Sequence, residues 1–158
     1  MGLFDYFIPD PAIECPACDG FLTGWQGKHS GDMCLFVWQQ GTVAPIDQKV
    51  DAEVKISERA LSGMRVEPEF DIYGGECQQC GFKWWDSAWR VRCWTEGEVW
   101  TQTEIVPTPL KGELVAEGWV MCKACLSSWK AIGGKGLYLC RSCQKLVQVE
   151  NSNPPNDS

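Results

Sequence analysis

Cys122-Lys-Ala-Cys125 and Cys140-Arg-Ser-Cys143 decide how this chain of 158 residues is read. Fourteen residues separate the two pairs, enough for a hairpin. Two Cys-x-x-Cys turns at that separation can close four thiolates around one tetrahedral ion. The gap holds Ser127 to Ile132, then Gly133-Gly134-Lys135-Gly136, then Leu137 to Leu139. It predicts strand, glycine turn and strand, returning the second pair beside the first.

The same grammar recurs upstream as Cys15-Pro-Ala-Cys18 and Cys77-Gln-Gln-Cys80. Four pairs allow three ways of forming two sites. Neighbour pairing joins 122/125 with 140/143 and leaves 15/18 to meet 77/80 across a 58-residue insertion. Closure cost grows only with the logarithm of loop length, so that span is affordable if the insertion is itself folded. Cys34 and Cys93 fall outside the pairs, each within a predicted strand. The plainer reading makes them small buried hydrophobes, and the sharper one a mutual disulfide or a spare ligand.

Charge is placed unevenly. Residues 1–110 hold 17 acids against 8 bases, whereas residues 111–150 hold 3 against 6, within a chain whose net charge is −7. An acidic body repels phosphate backbones, and a small basic module attracts them or an acidic surface. The opening Met1-Gly2-Leu3-Phe4-Asp5 has no basic leader and no long apolar run, and Tyr6 stands where a myristoylation signal wants Ser or Thr. A cytoplasmic chain with no membrane span is the expectation. Its thiols stay reduced there, so metal is favoured over disulfides.

The remaining pattern is that of strands. Phe4 to Ile8 is too apolar to dangle, and Pro9 and Pro11 forbid a continuous helix. Phe21–Gln26, Met33–Gln39 and Phe70–Tyr73 read as strands, the second apolar on both faces and therefore central. Residues 50–65 fit either a helical turn at Ser57–Ser62 or an alternating strand at Asp51–Ile56. Glu96-Gly97 is the expected two-residue turn of a hairpin, setting Cys93 opposite Trp100 and Trp94 opposite Val99. Gly20 and Gly81, which follow their knuckles, are expected to supply positive φ. The fold class is mostly β: a small sheet body with little helix over 1–106, a linker over 107–113, a zinc ribbon over 114–150, and a disordered tail over 151–158.

Trp119 to Glu150 resembles the zinc-ribbon group, with two knuckles on hairpins and a closing strand at Leu146–Val149. That resemblance implies zinc ligation by Cys122, Cys125, Cys140 and Cys143, and leaves function open, because ribbons serve many ends. Cys15-Pro-Ala-Cys18-Asp-Gly and Cys77-Gln-Gln-Cys80-Gly are similar to rubredoxin-type knuckles, from whose short chains the 58-residue gap departs. Met1-Gly2-Leu3-Phe4-Asp5, Trp25-Gln26-Gly27-Lys28 and Trp94-Thr-Glu-Gly97 are similar to small uncharacterised bacterial and phage proteins. That likeness implies a prokaryotic or phage cytoplasmic setting and no particular chemistry.

Four thiolates per site leave no open position, so two structural Zn2+ are expected, with iron the alternative. His29 is the only histidine and sits in a polar turn, which removes His-based triads and paired-His sites. The expected function is a non-catalytic, zinc-binding interaction protein. Its acidic body would steer onto a basic protein partner, as a toxin-neutralising inhibitor does, with Trp25, Trp38, Trp84, Trp94 and Trp119 as candidate anchors. The alternative is nucleic-acid binding by the ribbon through Lys123, Lys130, Lys135, Arg141 and Lys145, with Trp129 and Tyr138 as stacking faces. Electron transfer through thiolate-bound iron is a third reading.

Overall fold

The apolar lead-in is a strand, and its alternation places the core. β1 (Asp5–Ile8) buries Asp5 and Phe7 and turns Tyr6 and Ile8 outward. This assignment comes from a computed structural model, which describes residues 4–28, 35–52, 54–86, 89–106, 109–116, 118–131 and 136–149. His29, Cys34, the Gly133–Lys135 turn and the 151–158 tail lie outside the described residues. The chain divides into two compact units, Met1–Ile13 with Phe21–Pro107, and Glu14–Gly20 with Thr108–Ser158. The segment 14–20 is thus counted with the ribbon rather than with the body.

In the first unit the expected strand at Phe21–Gln26 is broken at Gly24 (φ 77) into β2 (Leu22–Thr23) and β3 (Trp25–Gly27). β4 (Phe36–Gln39) and β5 (Asp47–Gln48) complete a four-stranded sheet of order β3-β1-β4-β5, in which β1 and β4 run parallel. β4 is internal to that sheet, as its two apolar faces require. Asp5 extends the β1–β4 pairing with its side chain: the Phe36 N–H and the Trp38 indole N–H each donate to its carboxylate at 3.1 Å.

Residues 50–65 resolve into α1 (Glu58–Gly63), capped by Ser57, whose Oγ accepts from the Ala60 N–H at 3.2 Å. None of the described residues in the alternative strand at Asp51–Ile56 is in a strand. Gln48 meets that stretch with its amide instead, donating to the Val54 carbonyl and accepting from the Ile56 N–H.

β6 (Glu69–Ile72) leads through Gly74-Gly75 to β7 (Glu76–Cys77), which pairs with β2. A 3₁₀ turn, Trp84–Asp86, precedes β8 (Arg90–Glu96) and β9 (Val99–Val106), and β6-β8-β9 form a second sheet. The hairpin register differs from expectation. The turn is Gly97-Glu98, with φ of 56° and 69°, so Glu96 opposes Val99 and Thr95 opposes Trp100. A two-residue turn that follows strand twist needs positive φ at both positions, and Glu98 accepts that strain. A bulge then inserts Thr101, so Trp94 opposes Gln102 and Cys93 opposes Thr103. Trp100 and Thr103 thereby face the same way, and the Trp100 indole N–H donates to Thr103 Oγ1 at 3.0 Å.

The two sheets meet through aromatic rings. Phe7 lies 5.3 Å from Phe70 and 5.8 Å from Trp100, and Phe70 lies 5.6 Å from Trp100, in tilted and edge-to-face arrangements. At Gly74-Gly75 two indoles close on bare backbone. A Cβ on Gly75 would sit 2.6 Å from the ring of buried Trp25, and one on Gly74 2.3 Å from Trp85. Gly75→Ala is therefore expected to cost about 3 kcal/mol, because Trp25 has nowhere to move. Gly74→Ala meets half-exposed Trp85, which can swing aside, and is left mainly with the strain of φ +83. Urea midpoints of the two variants check the order; an unshifted Gly75→Ala midpoint would contradict it.

The ribbon unit has β10 (Leu110–Ala116), β11 (Trp119–Cys122), β12 (Ser128–Lys130), β13 (Leu137–Leu139) and β14 (Leu146–Gln148), in the order β12-β11-β10-β14-β13. β12 and β13 are not partners, contrary to the expected single hairpin across the glycine turn. Each knuckle instead caps its own hairpin, β11–β12 and β13–β14, and β10 joins the two. β10 begins inside the stretch read as linker. Gly112 is there for close approach rather than for flexibility: a Cβ on it would lie 2.2 Å from Val147 Cγ1. No helix among the described residues is long and apolar enough to cross a membrane.

Candidate metal centre

Each Cys-x-x-Cys pair folds by the same backbone bonds. The N–H of the first cysteine donates to the carbonyl five residues on: Cys15 to Gly20, Cys77 to Phe82, Cys122 to Ser127 and Cys140 to Lys145, each at 2.9 Å. In three knuckles the N–H four residues on returns to the first cysteine's carbonyl, from Gly81, Leu126 and Gln144. Those three residues carry positive φ, of 75°, 62° and 58°. The equivalent position in the first knuckle is Asp19, not Gly20. Gly20 stands one place later, where it accepts from the Cys15 N–H and donates its own N–H to Cys18 Sγ at 3.3 Å.

The sulfurs gather as neighbour pairing requires. Cys15, Cys18, Cys77 and Cys80 form one group and Cys122, Cys125, Cys140 and Cys143 the other, with all four sulfurs of each within 4.8 Å of one another. A Zn–S bond of about 2.3 Å makes a tetrahedral edge of about 3.8 Å. Cys122 Sγ lies 3.8 Å from Cys143 Sγ, and Cys125 Sγ lies 3.5 Å from Cys140 Sγ. These separations fit a metal ion and far exceed a disulfide bond. In each group one cysteine is exposed, Cys80 and Cys125.

Ionisation in the second group is uneven. Burial pushes the Cys140 thiol up, but hydrogen bonds from Ser127, the Cys143 backbone and the neighbouring sulfurs outweigh it and bring it down to about 6. Burial and then the neighbouring cysteines push Cys143 up to about 12. A cation placed among the four sulfurs would hold all of them as thiolates. Ser127, not singled out by the sequence, sets its hydroxyl 2.9 Å from Cys125 Sγ and 3.3 Å from Cys140 Sγ. A hydrogen bond of that kind orients a ligand and tunes its basicity. Cys93 stays apart: it is fully buried, burial pushes its thiol up to about 12, and its sulfur lies 3.9 Å from Thr103 Oγ1. It is a core thiol and is not part of a disulfide.

The candidate anchors separate sharply. Trp25, Trp38 and Trp84 are at most 2% exposed and present no surface to a partner. Their burial follows from the sheet contacts: Trp25 packs on Trp84 at 5.6 Å, and Trp38 donates to Asp5. Trp94 is half-buried and Trp119 exposed. Trp85, which sequence reading passed over, is 55% exposed. Adjacent residues in a turn cannot both face inward, so one member of Trp84-Trp85 had to emerge.

Of the proposed nucleic-acid contacts, Trp129, Lys130 and Arg141 line one cavity together with Tyr138. Lys123 is elsewhere, 3.8 Å from Glu113. Lys145 does not line that cavity, and Lys135 lies outside the described residues. Tyr138 is only 6% exposed and packs in the ribbon's core cluster, so it offers no stacking face. No protein-family model, curated protein or solved structure matches the chain.

Proposed function

We propose that this is a non-catalytic binding protein in which each cysteine quartet holds one structural Zn2+ and the acidic first unit engages a basic protein partner. The observation that carries the reading is the closure of both quartets: four sulfurs per ion leave no coordination position for a substrate or an activated water. Zinc would hold the knuckles in place and supply no reactive group.

The partner reading is supported by charge and by one cavity. Arg65, Arg90 and Arg92 are committed to Glu98, Asp71 and Glu69, which leaves the acidic surplus of this unit unanswered. A cavity of about 420 Å³ on the outer face of the four-stranded sheet is lined by Tyr6, Ile8, Gln26, Val37, Glu76 and Trp85. Exposed Trp85 and Ile8 beside the Glu76 carboxylate suit a Lys or Arg side chain, whose stem packs on rings while its charge meets the carboxylate. A basic toxin or nuclease is a partner of that chemistry.

Elemental analysis of the purified protein is expected to give two zinc ions per chain; a red protein containing iron would contradict the zinc assignment. Affinity capture from the native host should recover a basic protein that Trp85→Ala loses at unchanged zinc content. Retention of that protein by the Trp85→Ala and Glu76→Lys variants would place the partner site elsewhere.

A further inference from the structure

The ribbon unit holds a cavity of the opposite character. It measures about 260 Å³ and is lined by Trp129, Tyr138, Lys130, Arg141, Ser128 and Ser142 among others, with no carboxylate among its described lining residues. Two strands and two knuckles make it, the Cys15–Cys18 turn giving Pro16 and Ala17. β12 contributes Ser128, Trp129 and Lys130, β13 contributes Tyr138, and the Cys140–Cys143 turn contributes Arg141 and Ser142. Trp129 sits opposite Val120 in the sheet and packs on the buried cluster of Val120, Tyr138 and Val147, which fixes its ring. Lys130 and Arg141 are exposed, and neither is ion-paired among the described residues.

We propose that this groove binds single-stranded nucleic acid, taking one unpaired base against Trp129 with the flanking phosphates on Lys130 and Arg141. Each part of the chemistry has a counterpart. An indole held in place stacks on the face of any base. A guanidinium and an ammonium, one on the knuckle and one on the strand, suit the two phosphates that flank a nucleotide in a chain. Ser128 and Ser142 can donate to phosphate or sugar oxygens. The cavity lies at the small end of ligand sites, so it has room for one base rather than a stacked run. A base inside a duplex is already stacked on both faces and cannot reach Trp129. A phosphoserine peptide offers no ring for it.

This site is separate from the acidic unit's proposed partner face, and neither reading depends on the other. With only two phosphates engaged, binding should be weak, and its log–log salt slope shallow at about −1.4.

The test uses the zinc-loaded full chain and a fluorescein-labelled oligothymidine of about ten nucleotides, followed by anisotropy at low salt. A duplex of equal length and a phosphotyrosine peptide are the comparisons. The single strand is expected to bind at least about tenfold more tightly than the duplex. The Lys130→Glu, Arg141→Glu double variant should weaken it at least about tenfold while keeping two zinc ions per chain. Should that variant lose zinc, Lys130→Gln and Arg141→Gln are measured singly, each expected to reduce both the affinity and the salt slope. Absence of single-strand binding at low salt, equal binding of the duplex, tighter binding of the phosphopeptide, or unchanged affinity in zinc-loaded charge variants would each overturn the proposal.

Discussion

Cys122→Ser is expected to release one zinc ion per chain and unfold the ribbon while the first quartet keeps its metal. The ribbon cannot hold itself by burial. Its core cluster has six buried residues, and two of them, Cys122 and Cys140, belong to the cysteine quartet. The knuckle turns at 122–127 and 140–145 belong to different hairpins, joined by β10, by the small shared core cluster and by the cysteine quartet between them. Structural zinc contributes about 10–16 kcal/mol in small zinc-dependent folds, more than such a cluster can replace. Serine at position 122 leaves three thiolates and a buried hydroxyl. The Leu139 N–H bond to the Pro16 carbonyl, 3.0 Å, goes with the ribbon, so the first quartet loses a support but none of its four sulfurs. Zinc analysis should fall from two ions to one. Amide exchange protection should vanish at Val120 and Val147 and persist at Ile72 and Val91. Loss of both ions together, or a protected ribbon in the zinc-depleted variant, would contradict the independence of the two sites.

The second large effect concerns a carboxylate far from any metal. Asp5→Ala is expected to destabilise the first unit by about 3 kcal/mol or more, because hydrogen bonds to a charged group contribute about 1.5–3 kcal/mol each. Asp5 is 3% exposed and accepts from two donors, the Phe36 N–H and the Trp38 indole, both in the buried interior of β4. Alanine strands both donors away from water. Asp5→Asn keeps one carbonyl oxygen as acceptor and should lose roughly half as much. Urea unfolding followed by tryptophan fluorescence separates the two variants, and zinc content should not change in either. An alanine variant within about 1 kcal/mol of the parent would mean that water reaches those donors.

The two cysteine quartets were legible because cysteine spacing is a local property: the N–H of the first cysteine in a Cys-x-x-Cys turn reaches the carbonyl five residues on wherever the turn sits, and in all four it does. The β character and the internal position of β4 were legible for the same reason, through period, whereas residues 50–65 fitted helix and strand alike and only the structure gives α1. What failed depended on contacts remote in sequence. The ribbon's segments at Ser128–Lys130 and Leu137–Leu139 are compatible with pairing each other, and only β10 and β14 show that they do not. The β8–β9 register turned on whether Glu98 would adopt positive φ, which a rule favouring glycine does not anticipate. The buried role of Asp5 was not legible, since nothing nearby in the chain reveals that Trp38 needs an acceptor. Three of five tryptophans offered as anchors were core, because an indole's large area is as useful inside as outside.

β10 has its two partners at unequal distances along the chain: β11 follows almost at once, whereas Leu110 and Lys111 wait for Val147 and Gln148. During synthesis from the amino terminus, the first quartet has all its sulfurs outside the ribosome once residue 80 has cleared the exit tunnel. The second must wait for residue 143, and its sheet for β14 a few residues later. The sulfurs of the first quartet are therefore all present in the nascent polypeptide before those of the second.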